Sequence, residues 1–258
     1  MAKFFCFTFY EIFKVRNKLF NACILATALL LCFSSHAWVE ENELIIADFS
    51  KGVDSTGVPV DWEIVKKVGS PSLDIKQENN EFFLHLISEK TSFGLKKNIS
   101  IDIKKYPYIT FTWKVEKLPE GGDFRKEETD DQAAQLYIVF GKFQLLANII
   151  GYIWGNMAPQ HTTGISPAWN RTRIIVLESG SEKLGKWVTE TRNIHEDYKT
   201  LFGKDPGKAN LITIYINSQH TQSRAESYLG KIYFSKNRKP ECPPIEKNSS
   251  KINRGNTR

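Results

Sequence analysis

The sequence predicts an all-β fold in which two antiparallel sheets pack as a sandwich, with one short helix. Three observations carry this. Short segments of alternating apolar and polar residues recur along the chain, turn-forming residues separate them, and only one segment has helical periodicity. A parallel α/β sheet would need a crossover helix for each strand pair, and those are missing.

Taken in order, residues 43–49 (ELIIADF) form a first strand, closed by the turn-rich 50–59. Residues 62–67 form a short strand, and 82–87 is apolar on both faces apart from His85. Residues 108–116 alternate cleanly, with Ile109, Phe111, Trp113 and Val115 on one face. That is the period of a half-buried strand. In 133–140, Ala134, Leu136, Ile138 and Phe140 face the core, leaving Gln135 and Tyr137 outside, with Asp131 beside them if the strand reaches back. Residues 148–154, 172–178, 186–191, 211–219 and 228–234 read as further strands. The helix starts at Asn193, where Glu196 completes a capping box. Ile194, Tyr198, Leu201 and Phe202 make one apolar stripe, and Gly203 ends it. His195 and Asp197 on this helix read as surface residues of the first turn.

Residues 1–37 read as a signal peptide. Lys14, Arg16 and Lys18 precede an apolar run over 19–33, and Ser35, His36 and Ala37 supply the small-residue cleavage site. The apolar run is too short to span a membrane comfortably. A lipoprotein reading around Cys32 is weaker, because Leu29–Leu31 are bulky where processing wants a small residue. The expected location is therefore the periplasm or the medium. Cys242 alone would remain after cleavage, so no intramolecular disulfide can form. Residues 38–235 form one expected domain.

The whole chain carries 35 Lys and Arg against 29 Asp and Glu. Residues 1–37 hold four Lys/Arg and one Glu, and 236–258 hold seven Lys/Arg and two Glu, so 38–235 has a net charge of −2. A near-neutral body argues against a nucleic-acid-binding domain. The basic tail 236–258 reads as disordered. It can touch an anionic membrane surface weakly, although a solvated terminus is the simpler reading.

The richest stretch is 113–141 (WKVEKLPEGGDFRKEETDDQAAQLYIVFG), two strands joined by an acidic, glycine-turned loop. This run, the later NIIGYIWGN, RIIVLESGSEKLGKWVTETRNIHEDYKTLFG and TIYINSQHTQSRAESYLGKIYF resemble a family of exported bacterial proteins known as domain of unknown function 3047. The resemblance spans about 48–234 and implies a location without an activity. Where the family tends to carry Asp-x-Asp before a Thr and Gly-Asp before the last strand, this chain has Asn217, Gln219 and Lys231. Two amides and an ammonium in place of carboxylates weaken a metal site there. The Asp-Phe opening and Tyr-x-Gly-x-Ile closing strands are similar to those of jelly-roll, galactose-binding-like carbohydrate-binding modules, an analogy of fold alone.

Several chemistries are struck out. Residues 180–186 (GSEKLGK) nearly spell a phosphate loop, but Trp187 follows where a hydroxyl is needed and no helix begins. That segment reads as a hairpin turn. No G-x-S-x-G elbow exists. The mature histidines lack zinc spacing, so no metal or other cofactor is expected, and nothing supports a structural calcium. In the acidic loop, Asp123, Arg125, Asp130 and Asp131 are candidate ligand-binding residues. Adjacent Asp130 and Asp131 point to opposite faces in an extended chain and cannot alone form the facing pair of a glycosidase. A solvated loop balanced by Arg125 and Lys126 remains the simpler reading. Three strand faces add Gln135 with Tyr137, Tyr152 with Trp154, and Tyr215 with Asn217 and Gln219. Aromatic planes beside amides and carboxylates are the ingredients of sugar recognition, although Tyr152 and Trp154 could instead be core. The expected function is a non-catalytic module for an envelope glycan. A carboxylate-based polysaccharide hydrolase or lyase, and a structural protein of the envelope, are the alternatives.

Overall fold

The structure, a computed structural model, describes residues 41–141 and 146–238. The expected signal peptide over 1–37 and the expected basic tail beyond Arg238 lie outside those residues. The strands are β1 (Glu43–Ala47), β2 (Glu63–Val68), β3 (Ser72–Glu78), β4 (Glu81–Glu89), β5 (Ser92–Asp102), β6 (Tyr108–Lys117) and β7 (Ala134–Phe140). They continue as β8 (Asn148–Gly155), β9 (Thr163–Ser166), β10 (Trp169–Ser179), β11 (Val188–Asn193), β12 (Lys208–Asn217) and β13 (Arg224–Ser235). The helix α1 (Ile194–Phe202) links β11 to β12.

These strands form the expected two-sheet sandwich. The six-stranded sheet has the order β11-β6-β13-β4-β3, with β1 also pairing β13. The seven-stranded sheet runs β2-β5-β12-β7-β8-β10-β9. One pairing departs from the expected antiparallel pattern. β8 and β10 run parallel, with Ile174 opposite Gly151, because short β9 reverses the chain between them. β9 then closes that edge of the sheet.

β3, β5 and β9 escape the sequence pattern for physical reasons. In β3 only Leu73 and Ile75 are apolar, enough for an edge strand that pairs on one side. Asn79 and Asn80, at φ 50° and 68°, make the two-residue turn that pairs Glu78 with Glu81. In β5 the polar Lys96, Lys97 and Asn98 interrupt the apolar run. Lys97 nonetheless stands opposite Ile212 on the inner face. Its ammonium reaches the carbonyl of Ile46 at 2.8 Å, and burial holds its pKa below the usual lysine value.

The helix forms as its caps dictate. Asn193 Oδ1 accepts the Glu196 N–H at 3.2 Å, and Gly203 adopts φ 67°. Glu196 does not close the capping box; its carboxylate pairs with His195 at 3.1 Å. Among the described residues no helix is long and apolar enough to cross a membrane.

The sheets meet through aromatic rings. Trp113 on β6 and Trp154 on β8 approach edge to face at 5.8 Å, and Phe111 packs on Trp113 at 5.0 Å and on Tyr152 at 6.1 Å. All four rings are fully buried. Each such pair contributes about 0.5–1.5 kcal/mol beyond the area buried. Trp113→Ala should therefore cost about 3–5 kcal/mol in urea unfolding, whereas the exposed Trp169→Ala should change stability by less than about 1 kcal/mol. Equal costs would show that the inter-sheet contact does not organise the core.

Candidate ligand-binding surfaces

The loop between β6 and β7 folds across the outer face of the seven-stranded sheet. Phe124 anchors it in a second apolar cluster with Ile153, Ala158, Ile174 and Val176. Gly164 leaves the room, since a Cβ there would come within 2.9 Å of the Phe124 ring. Buried Asp123 takes the Arg125 guanidinium in two bonds of 2.7 Å. Those bonds hold its carboxyl below the usual range despite burial. Asp123 and Arg125 are thus committed to each other.

Four expected residues do come together. Gln135 stands opposite Tyr215, so Gln135, Tyr137, Tyr215 and Asn217 share the outer face. Glycines beneath make this possible: a Cβ at Gly94 would lie 2.8 Å from the Tyr215 ring, and one at Gly151 would lie 2.3 Å from Tyr137. Their polar atoms, however, satisfy one another. Tyr137 donates to Gln135 Oε1, and Gln135 Nε2 donates to Asn217 Oδ1 at 2.6 Å. The Gln132 N–H reaches the same oxygen at 2.8 Å, and Asn217 Nδ2 donates to the Asp130 carbonyl. Gln135 and Asn217 are buried. Burial also pushes the Tyr215 hydroxyl up to about 12 and raises Asp130 above the usual carboxylate range. Lys67 lies over the Tyr215 ring at 4.8 Å. This face is a self-satisfied network more than an open platform.

One expectation is corrected. Tyr152 and Trp154 stand opposite Leu136 and Ala134 on the inward face, and both are fully buried in the core. They present no ring to a ligand. The facing acid–base pair that the hydrolase alternative requires is not assembled around Asp130 and Asp131 either. Among the described residues, no second carboxylate, His or Tyr hydrogen-bonds the side chain of Asp130 or Asp131. Asp130 Oδ1 accepts from Gln132 at 2.9 Å, while Asp131 turns inward onto Thr221 at 2.6 and 2.8 Å. Gln219 lies on the same β12–β13 loop as Thr221.

The open aromatic surface lies on the other sheet. Register aligns Asp74, His85, Tyr228 and Lys114 across β3, β4, β13 and β6. His85 stacks on Tyr228 with centroids 4.3 Å apart, and Trp187 meets Phe83 at 4.2 Å and Tyr228 at 6.1 Å. Gly230 gives the rings their seat, because a Cβ there would lie 3.2 Å from Phe83 and 2.3 Å from Thr112 Oγ1. Lys114 spans both rings, 4.3 Å from Tyr228 and 5.2 Å from Trp187. Trp187 and Tyr228 are half-buried, so each keeps part of its ring in solvent.

A charge ladder flanks these rings. His85 Nδ1 meets Asp74 at 2.8 Å and Nε2 meets Glu226 at 3.0 Å. Arg224 bridges Glu226 and Glu89 at 2.9 Å each, and Lys76 pairs with Asp74 at 2.5 Å. Burial would raise both Asp74 and Glu226. Their bonds to Lys76 or Arg224 and to His85 outweigh it and hold them low. Sequence reasoning missed this surface because its members sit on four strands. The available signal was the lone His85 in an apolar run and the Trp187 that spoils the phosphate loop.

That phosphate-loop lookalike is indeed a turn, with Gly180 and Gly185 at φ 70° and 72°. It joins strands of different sheets, so it is not a hairpin. Behind it, Lys183 pairs with buried Glu178 at 2.5 Å. Glu190 on β11 faces inward opposite Phe111. Burial, then the neighbouring Glu178 charge, push its pKa from 4.5 to about 7, against the pull of Lys183, Arg192 and the Trp113 indole. The Trp113 N–H makes no well-formed hydrogen bond, yet lies close enough to favour the charged carboxylate. Asp197, expected at the surface, is instead tied to the Tyr152 hydroxyl at 2.7 Å and to Arg192. Among the described residues no group of three His, Cys, Asp or Glu converges to hold a metal.

A two-sheet β-sandwich with an aromatic, charge-flanked outer face is thus the class that fold and surface define. The chain belongs to the family described as protein of unknown function (DUF3047), which matches residues 60–233. No curated protein matches it in sequence. Among solved structures it is similar to the family 11 carbohydrate-binding module of a Clostridium thermocellum cellulosomal cellulase. Identity is 12%, coverage 78% of this chain and 98% of that one, and the TM-score 0.42. The family 30 module of another cellulase of that organism gives 10%, 76% and 99%, with a TM-score of 0.43. The Caldicellulosiruptor saccharolyticus CBM27-1, in complex with mannohexaose, gives 12%, 78% and 100%, with 0.39.

Glu190 sets a pH dependence whose sign follows from its raised pKa. Between pH 4.5 and about 7 the unfolded chain ionises this group while the folded one keeps its proton. Stability therefore falls across that window, by an amount on the order of 3 kcal/mol. Glu190→Gln should match the parent near pH 4.5 and exceed it at pH 8 in denaturant midpoints. Parallel pH curves for the two proteins would refute this.

Proposed function

We propose that the protein is an exported, non-catalytic module that binds an envelope glycan through the outer face of its six-stranded sheet. The observation that carries this reading is the pair of half-buried rings Trp187 and Tyr228, with buried His85 stacked on Tyr228 and Lys114 lying across both rings. Half-exposed aromatic planes accept the C–H faces of sugars, and fixed carboxylates and guanidinium groups beside them accept and donate bonds to hydroxyls. Here Asp74, Glu226 and Arg224 are already held by cross-strand pairing, so little side-chain entropy remains to be lost on binding. The export half of the proposal rests on the 1–37 segment.

Titrating envelope oligosaccharides while following thermal unfolding tests this. A ligand at about 100 times its Kd stabilises by about 2.7 kcal/mol, or roughly 5–10 °C for a domain of this size. Trp187→Ala and Tyr228→Ala should weaken that ligand at least about 30-fold, and Tyr215→Ala on the opposite sheet should leave it unchanged. The reverse pattern would move the site to the seven-stranded sheet, and no response to any sugar would end the glycan reading.

A further inference from the structure

A cavity of about 420 Å³ lies where α1 leads into β12, beside the end of β7 and the start of β8. That volume falls within the range of ligand-sized pockets. Phe140 and Tyr198, packed ring on ring at 4.6 Å, form its apolar wall together with Leu146. Its polar lining comes from Asn148, Asn210, Lys204 and Lys208. Among the described residues no Asp or Glu lines it.

The acceptor oxygens of these side chains are already engaged. Asn148 Oδ1 accepts from Arg171 at 3.4 Å, Asn210 Oδ1 takes the Gly141 N–H at 3.1 Å, and the Tyr198 hydroxyl oxygen takes Asn148 Nδ2 at 2.7 Å. The donors are not engaged. Among the described residues the Tyr198 hydroxyl proton and Asn210 Nδ2 have no acceptor, and neither Lys204 nor Lys208 forms an ion pair. The acids beside these lysines are turned elsewhere. Asp205 faces His195 at 3.8 Å, and Asp102, opposite Lys208 in the strand register, takes the Lys104 N–H at 3.0 Å. By contrast Lys51, Lys76, Lys96, Lys114 and Lys183 each hold a carboxylate within 3.0 Å.

A cavity lined by free donors and two unmatched ammonium groups selects an anion. Two ammonium groups match a charge of about −1.5 to −2, which a phosphate monoester carries near pH 7. A carboxylate needs only one. Lysine serves phosphate as a point charge, and the apolar wall suits an organic body behind it. We propose that this cavity binds the phosphate monoester of a small organic molecule. Lys204 and Lys208 take the phosphate oxygens, the Tyr198 hydroxyl and Asn210 Nδ2 donate to them, and Phe140 and Leu146 cover the body. The site is independent of the glycan reading, since its strands belong to the seven-stranded sheet and the open rings to the other.

Calorimetric titration of the full chain with glucose 6-phosphate tests this, with inorganic phosphate, glucuronate and glucose as separate probes. Glucose 6-phosphate should saturate at one to one, and inorganic phosphate should bind more weakly for want of a body. Glucuronate should be at least about tenfold weaker than glucose 6-phosphate, and glucose should not bind. Lys204→Gln and Lys208→Gln should each weaken glucose 6-phosphate at least about tenfold, and both lysines are exposed, so these variants should keep the parent's unfolding midpoint. Asn210→Asp retains the oxygen that accepts the Gly141 N–H but replaces the donor by a carboxylate oxygen, and should abolish binding. Lys117→Gln, at an exposed lysine of the other sheet, and Trp187→Ala should leave it unchanged. The basic tail is common to all these proteins, so a difference among them belongs to the cavity. The proposal is overturned if neither glucose 6-phosphate nor inorganic phosphate saturates, or if glucose or glucuronate binds as tightly as glucose 6-phosphate. It is equally overturned if Lys204→Gln and Lys208→Gln bind as the parent does, or if Lys117→Gln weakens binding as much as they do.

Discussion

The fold depends on the edge-to-face contact of Trp113 and Trp154, which sets how the two sheets meet. Each ring comes from the inward face of its strand, and each strand alternates so strictly that its outward residues have no choice of side. Burying large apolar rings on one face leaves the other face of each sheet to whatever the remaining positions carry. The two outer faces are therefore where this protein can differ from a generic sandwich, and they differ from each other.

On the seven-stranded sheet the outward residues turn to one another. Gly94 and Gly151 remove the Cβ atoms that would hold the tyrosine rings away, and the amides of Gln132, Gln135 and Asn217 then saturate the nearby oxygens. The acidic loop closes over the rest with Phe124 as its plug. On the six-stranded sheet the outward side chains leave two rings open. Carboxylates there pair across strands with His85, Arg224 and Lys76, so the charges are fixed in place while the rings of Trp187 and Tyr228 keep contact with solvent. The amide-lined face closes on itself, whereas the face of cross-strand ion pairs keeps its rings in contact with solvent.

Charges also enter the sandwich itself, always near its margins. Lys97 on β5 gives its ammonium to a backbone carbonyl, and Glu190 on edge strand β11 keeps its proton to near neutrality. Asp197 is matched by Arg192 and Tyr152 where α1 closes the end of the core. Each is an ionisable group that the fold turns inward and that the nearest partner must then accommodate.

The sequence by itself determined the class of fold, ten of the strands and the single helix, because period-two alternation and helix caps are local properties of neighbouring residues. It also determined that Asp131, Gln135, Tyr215 and Asn217 deserved attention, since carboxylate, amide and aromatic groups share the outward positions of those strands. Tertiary structure alone decided what those residues do. Tyr152 and Trp154 looked the same as platform residues until pairing with Leu136 and Ala134 turned them inward. Edge strand β3 and lysine-interrupted β5 became visible only through their partners. The Trp187, Tyr228 and His85 surface is assembled from segments 41 to 143 residues apart in sequence, and no local pattern encodes which strands will lie side by side. Local periodicity tells a side chain which face it occupies. Only strand order tells it what it will meet there.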